Sequence, residues 1–374
     1  MIVKIPFLTD LHFGNPKIQV SRMVDSLHEY AYPVIAESQL LLLGGDFFDR
    51  LLDINSDAGI LAIFVIDELI NMAIEKKIYI RVLRGTFSHD RLQNRMFTER
   101  AQRIPLYNKI PLIRTVNKVE IERFPVFGLD ILFCPDDQPQ PDMTEAVLET
   151  INANHLEQVD YMCCHGYWDH LLPDNTTKRP HDCLDYDRLK NRVRYQIFNG
   201  HVHSPGIWKK VISGGSFERF RHNEEEDKGF YVAEFNSENK SSGIKFVRNK
   251  KATPFITVHT EYNATPEAAL EYLDKRIKQD LKYYDTNDEV IHVRIVGDGT
   301  AIIPAIRGKY AHVVITEKHI DTKQKVDVEF SNSISDLPTI TEENLPELIH
   351  SNVCEDHPEL SVDRIKEILD GSRI

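Results

Sequence analysis

Apolar positions at the start of the chain fall into runs of alternating length and period. Residues 2–8 form an apolar run that reads as a buried strand. Val20, Met23, Val24 and Leu27 then recur at helical spacing, and Pro33 is expected to end that helix. The continuous run 40–43 stops at Gly44-Gly45-Asp46. Ser56 or Asp57 can cap a long apolar helix over 58–76, and 78–83 is the next strand, stopping at Arg84-Gly85. A strand–helix–strand–helix–strand order predicts a parallel or mixed sheet covered by helices.

Beyond Phe124 the rhythm shortens. Segments 126–134, 159–164 and 194–198 read as strands, and 211–212, 230–235 and 244–247 as a closing β-rich half. The fold class this predicts for 1–250 is α/β, a two-layer mixed β-sheet sandwich flanked by helices. A boundary falls near Lys250-Lys251-Ala-Thr-Pro254. After it come a strand at 255–258, a helix opened by Thr265-Pro266-Glu267, and strands at 289–296 and 311–316. That pattern predicts a small α+β module over 251–333. The remaining segment, 334–374, begins in a polar linker (331–337) and carries two short hydroxyl-capped helices, 341–349 and 361–369.

Composition narrows the class. The 374 residues allow two or three domains, and 41% hydrophobic with 28% charged residues is ordinary for a globular protein. No uncharged apolar run reaches the ~18 residues of a membrane helix, so no membrane association is expected. The first ten residues lack the layout of a signal peptide and run directly into a strand. Five cysteines, with no Cys-x-x-Cys spacing, argue against a zinc knuckle. Cys163 and Cys164 lie in an apolar strand and read as core thiols, so a reducing cytoplasmic setting is expected. The net charge of −13 counts against a stand-alone nucleic-acid binder. It does not exclude nucleic acid, because bound cations invert the local charge of a carboxylate-rich site and a partner can supply a basic surface.

Five patches, each at or near the end of a strand-length run, carry metal-ligating or proton-transferring side chains. They are Asp10-Leu-His12, Gly45-Asp46-Phe-Phe-Asp49, Ser88-His89-Asp90, His165-Gly166 and Gly200-His201-Val202-His203. A parallel sheet delivers the residues at its strand ends to one crevice. Phosphodiester hydrolysis needs a nucleophile and a stabilised leaving oxygen, and two divalent ions can serve both. Asp46 is the candidate bridge between them, since a carboxylate has two oxygens. Asp10 and His12 can chelate one ion, His201 and His203 can serve one each, and His165 can complete the second. Mixed carboxylate and imidazole ligands suit manganese, iron or zinc better than magnesium or calcium, and manganese is the expected cofactor. A lone Asp-x-His is usually only a turn; the ordered set is far more specific.

That ordered set resembles the calcineurin-like metallophosphoesterase family, whose pattern is Asp-x-His, Gly-Asp-x-x-Asp, Gly-Asn-His-Asp/Glu, His and Gly-His-x-His. The resemblance implies that Asp10, His12, Asp46 and His203 hold one ion and Asp46, His165 and His201 the other. It makes His89, paired with Asp90, the catalytic imidazole that contacts the phosphate. The pattern's Asn is missing, because this chain reads Gly85-Thr-Phe-Ser88-His89-Asp90. Ser88 is the expected substitute ligand, and the competing register puts Thr86 there.

A further stretch, Gly214-Gly215-Ser216-Phe217-Glu218-Arg219 followed by Asp227-Lys228-Gly229-Phe230-Tyr231, is similar to the SbcD-type nuclease subunit of double-strand-break repair complexes. This resemblance covers 1–250 well and 255–320 only in outline, as a DNA-capping domain. It implies a DNA exonuclease or endonuclease working with an SbcC-like SMC-family ATPase. That partner would dock on the terminal helices, with a homodimer of this chain inside a heterotetramer. The compact, divergent form is what a bacteriophage version would show. Two other readings use the same residues: a phosphomonoesterase on the same fold, and a non-catalytic subunit that only docks an ATPase. Asp49 is expected to orient a ligand or cap its turn, and Arg50 and Arg84 to meet a phosphate or form surface ion pairs. Tyr167 and Trp168 suit base stacking or the core. His181, His222 and the run Glu224-Glu225-Glu226-Asp227 read as solvated surface.

Overall fold

The computed structural model describes residues 1–104, 111–136, 142–171, 183–280 and 290–318. The chain divides into two compact units, Met1–Ile320 and Asp321–Ile374. The second unit, with the expected linker and two terminal helices, lies outside the described residues.

Two six-stranded mixed sheets form the framework of the first 250 residues. The first runs in the order Ser241–Arg248, Gly229–Asn236, Ile2–Leu8, Leu40–Leu43, Tyr79–Leu83 and Ile113–Val116. Its last four strands are parallel, and the first two join antiparallel. The second runs Gly206–Trp208, Val211–Ser213, Ile197–Gly200, Tyr161–His165, Leu129–Cys134 and Glu120–Phe124, with a parallel centre and antiparallel edges.

Successive strand side chains point to opposite faces, and both faces of each central strand are buried. Val3, Ile5, Phe7, Leu40 and Leu42 meet Ile131, Phe133, Tyr161, Cys163 and Phe198 in a core between the sheets. The alternate residues face helices. Leu41 and Leu43 pack with Val65, Ile66 and Leu69 of the helix Asp57–Lys76. Leu132, Cys134, Met162 and Cys164 pack with Val147 and Ile151 of the helix Met143–Ala153. Apolar runs without polar alternation are therefore what strands of this sandwich require.

The helix expected to stop at Pro33 instead continues. Val20–Ser26 passes through a wide turn, Leu27–Ala31, into Tyr32–Ile35. Proline lacks an N–H and crowds the carbonyl four residues back, and a widened turn before it relieves both problems. Ser56 caps Asp57–Lys76 by accepting the Gly59 N–H at 3.1 Å, and Lys77 ends the helix in a left-handed conformation. Strands Ile113–Val116 and Glu120–Phe124 and helices Met143–Ala153 and Ile302–Lys309 are additional to the sequence expectation.

The third sheet joins Phe255–His259, Ile291–Val296 and Val313–Lys318, all parallel, with helices Pro266–Asp280 and Ile302–Lys309 between them in sequence. This is an α/β arrangement and not the expected α+β module, because parallel neighbours need a crossover and the helices supply it. The boundary at 250–254 is clamped. The buried Glu218 carboxylate accepts the Thr253 N–H at 2.7 Å, and the Arg219 guanidinium donates to the Ala252 carbonyl at 3.0 Å. Among the described residues no helix is long and apolar enough to cross a membrane.

Candidate metal centre

The carboxyl ends of the parallel strands in both sheets converge. Ile2–Leu8 leads to Asp10 and His12, Leu40–Leu43 to Asp46, and Tyr79–Leu83 to Thr86 and His89. From the second sheet, Tyr161–His165 ends on His165, and Ile197–Gly200 leads to His201 and His203. Adjacent loops are stitched together: the Asp10 N–H donates to the Gly45 carbonyl and the His12 N–H to the Asp46 carbonyl, both at 3.0 Å. Asp10, His12, Asp46 and His201 adopt positive φ of 51°, 50°, 49° and 77°. Non-glycine residues seldom occupy this region, and such strain gathers at functional sites. Glycines allow the loops to close this tightly. A Cβ on Gly85 would stand 2.2 Å from the Asp46 amide nitrogen, and one on Gly45 would stand 2.5 Å from His165 Nδ1.

Three overlapping groups result: Asp10–His12–His203, His12–Asp46–His89 and Asp46–His165–His201. His12 Nε2 lies 4.0 Å from Asp10 Oδ1 and 3.9 Å from Asp46 Oδ2. His203 Nε2 lies 3.8 Å from Asp10 Oδ1, and His165 Nε2 lies 3.3 Å from Asp46 Oδ2. His165 Nδ1 must donate to the Gly44 carbonyl at 2.8 Å, which leaves its Nε2 for Asp46 or a cation. His12 Nε2 and His203 Nε2 face each other at 3.1 Å, while their other nitrogens are turned toward Asp49 and Glu224. Paired imidazole nitrogens backed by carboxylates suit a shared divalent cation. The His12 Nδ1, buried and without a hydrogen bond, belongs to the same arrangement.

The missing-Asn position is corrected. Ser88 is exposed on the short helix Phe87–Asp90 and does not join these groups. Thr86 does, which favours the register with Phe87 and Ser88 as the insertion. Its Oγ1 sits 3.2 Å from Asp46 Oδ2, 3.4 Å from His165 Nε2 and 3.3 Å from His201 Nδ1. Asp90 is fully buried and accepts the backbone N–H groups of Gly85 at 2.8 Å and Phe48 at 3.2 Å. It braces the two loops and does not face a substrate. His89 Nδ1 lies 2.5 Å from the Asp49 carbonyl, so it carries the proton and leaves Nε2 available.

The electrostatics are divided between the two halves of the centre. Burial works against the Asp46 carboxylate, but His165, His12 and His89 outweigh it and hold it well below the usual range. Burial likewise opposes the His165 imidazolium, yet the Asp46 charge and hydrogen bond pull its pKa up to about 10. Burial depresses His12 and His201 to about 3 each, and raises Asp10. Burial, then repulsion from Asp46, raises Asp90 to about 7.

Asp49 Oδ1 stands 3.6 Å from His12 Nδ1 and accepts from Asn15 Nδ2 at 2.8 Å, and its other oxygen pairs with the exposed Arg50. The Arg84 guanidinium donates to the Asp136 carbonyl at 2.7 Å. Trp168 is fully buried, while Tyr167 packs edge-on against His201. His222 is buried against Phe255 and is not the surface residue expected; His181 lies outside the described residues. The expected solvated acidic tip is also corrected. Glu224 is buried, and it accepts from His203 Nδ1 at 2.8 Å, Arg221 Nε at 2.7 Å and the Phe220 N–H at 3.0 Å. Glu224 falls between the Gly214–Arg219 and Asp227–Tyr231 stretches, and no motif in the sequence marks it.

No model of a known protein family matches the sequence, and no curated protein matches it. Solved structures that the chain matches include one described as a novel archaeal phosphodiesterase, with 12% identity, 65% of this chain and 99% of that chain covered, and a TM-score of 0.31. Another is the protein TT1561 of Thermus thermophilus, with 8% identity, coverage of 66% and 99%, and a TM-score of 0.37. A third is GAP50, the anchor in the inner membrane complex of Plasmodium, with 12% identity, coverage of 67% and 86%, and a TM-score of 0.37. At these identities and scores they assign no activity or substrate to this chain.

Proposed function

We propose that this chain is a metal-dependent phosphodiesterase that cleaves DNA. The observation that carries the reading is the convergence of three candidate ligand groups, two of them sharing Asp46 and one of those including His89. Asp10, His12, His203 and Asp46 would hold one divalent cation. Asp46, His165, His201 and the Thr86 hydroxyl would hold the other. Cations bound there supply Lewis-acid charge for the phosphoryl oxygens and make a water more acidic. The protein's own contributions follow from its hydrogen bonds. The Asp49 carbonyl holds the His89 Nδ1–H and so turns Nε2 toward the phosphate; a doubly protonated ring would donate its Nε2 proton to the departing sugar oxygen and be left as the neutral Nδ1–H tautomer. The left-handed loop residues hold the ligands in place before substrate arrives.

DNA as substrate is supported by the Gly214–Arg219 and Asp227–Tyr231 stretches and by a third module that a minimal phosphatase does not need. The SMC-like ATPase contact is assigned to residues 334–374, and deleting 338–374 should abolish co-purification with such a partner while sparing basal activity. Homodimerisation inside that complex belongs to the same proposal. The direct test is an assay of purified protein on duplex and single-stranded DNA with manganese, with magnesium and with a chelator. Manganese-dependent cleavage lost on chelation is expected. Intact DNA under every condition, with turnover of a phosphomonoester, would overturn the nuclease reading in favour of a phosphatase.

A further inference from the structure

Glu224 lies outside every motif that points to the metal centre, in a run of four acids that ordinary charge patterning assigns to solvent. Its side chain is nevertheless only 3% exposed. A buried carboxylate needs partners, and Glu224 has four. Oε1 receives His203 Nδ1 at 2.8 Å and Arg221 Nε at 2.7 Å, and Oε2 receives the Phe220 N–H at 3.0 Å and lies 3.4 Å from Lys228 Nζ. Lys228 is itself fully buried, and its Nζ also donates to the His203 backbone carbonyl at 2.8 Å. The side chain and the main chain of His203 are thus held by one buried Glu–Lys pair. The Phe220 ring packs edge-on against both His12 and His203, at 5.0 and 5.5 Å between ring centres.

We infer that Glu224 is a positioning residue for the metal centre: it fixes the Nδ1–H tautomer of His203 and aims the free Nε2 at the cation shared with Asp10 and His12. This inference rests on the metal-centre reading above. A carboxylate behind a ligating imidazole orients the ring and raises its basicity, and losing one typically weakens metal affinity ~10–100-fold. The neighbouring Glu225 makes a different contact, pairing with Arg276 of the third module at 3.1 Å, and has no such role.

The test is manganese titration by calorimetry of the full chain as wild type, Glu224→Gln, Glu224→Ala and Glu225→Gln, with melting temperatures measured beside it. Glu224→Gln keeps an acceptor oxygen but removes the charge, and should weaken one of two binding events ~10-fold with little change in melting temperature. Glu224→Ala should weaken the same event further, toward ~100-fold. Glu225→Gln should bind manganese as wild type does. Wild-type affinity in both Glu224 variants, with or without a lowered melting temperature, would show that Glu224 is only structural. If Glu224→Ala does not fold, Glu224→Gln decides alone, and unchanged affinity overturns the inference. Equal weakening in Glu225→Gln overturns it too, because the effect would then be one of bulk charge. A wild-type chain that binds no manganese fails the metal-centre reading itself.

Discussion

Asp46 belongs to two of the three ligand groups, and the side chains around it divide by what they can touch. His89 has one nitrogen committed to a backbone carbonyl, so His89→Ala should abolish cleavage and leave manganese content nearly unchanged. Metal analysis beside the activity assay checks this, and loss of both ions would make His89 a ligand. The Thr86 hydroxyl lies among Asp46, His165 and His201, and Ser88 is exposed away from them. An amide oxygen is a better neutral ligand than a hydroxyl. Thr86→Asn should therefore lower the manganese needed for half-maximal cleavage, and Ser88→Asn should leave it unchanged. A gain confined to Ser88→Asn would reverse the loop assignment. The six side chains that converge, Asp10, His12, Asp46, His165, His201 and His203, are legible in the sequence because each falls at or near the end of an apolar run. Thr86 is legible only as the alternative to Ser88, and Glu224 is not legible, because a buried Lys228, invisible to charge counting, draws it inward.

The central parallel strands of the two sheets are legible too, since burial on both faces makes them largely apolar runs. Strands Ile113–Val116 and Glu120–Phe124 escape notice because they mix charged and apolar residues at sheet edges. Arg81 shows why such mixing is tolerated: fully buried on a central strand, it pairs with Glu122 of the neighbouring sheet's edge strand and lies over the Phe124 ring. The loop after Tyr79–Leu83 is the element most exposed to disruption. A methyl group on Gly85 would collide with the Asp46 backbone. Gly85→Ala should cost about 1–3 kcal/mol of stability, as overpacking generally does. It should also weaken manganese binding, since the collision displaces the shared carboxylate. Denaturant unfolding and metal titration measure the two effects. A stability loss with wild-type metal affinity would separate the loop from the centre.

The whole chain is acidic, and its centre concentrates carboxylates and imidazoles, so protons and cations compete for it. With its pKa raised to about 10, His165 carries a proton at neutral pH, and a cation taking Nε2 must displace it. Manganese affinity should therefore rise with pH, by up to about tenfold per unit between about pH 6 and about pH 8. Without manganese the sign is opposite: the Asp46–His165 pair contributes fully below the ordinary histidine pKa and is lost as pH rises through about 10. Calorimetry across that range checks the first statement, and affinity independent of pH would contradict it. The strands and first helix of the third module are legible, but its parallel pairing is not, because helix Ile302–Lys309 has too short a pattern to announce a crossover. Asp46, which belongs to two of the candidate ligand groups, is proposed to serve two cations at once. Anomalous diffraction from crystals soaked in manganese tests it most directly. Two peaks flanking Asp46, one beside His12 and His203 and one beside His165 and His201, are the predicted result; a single peak, or none at these residues, would contradict it.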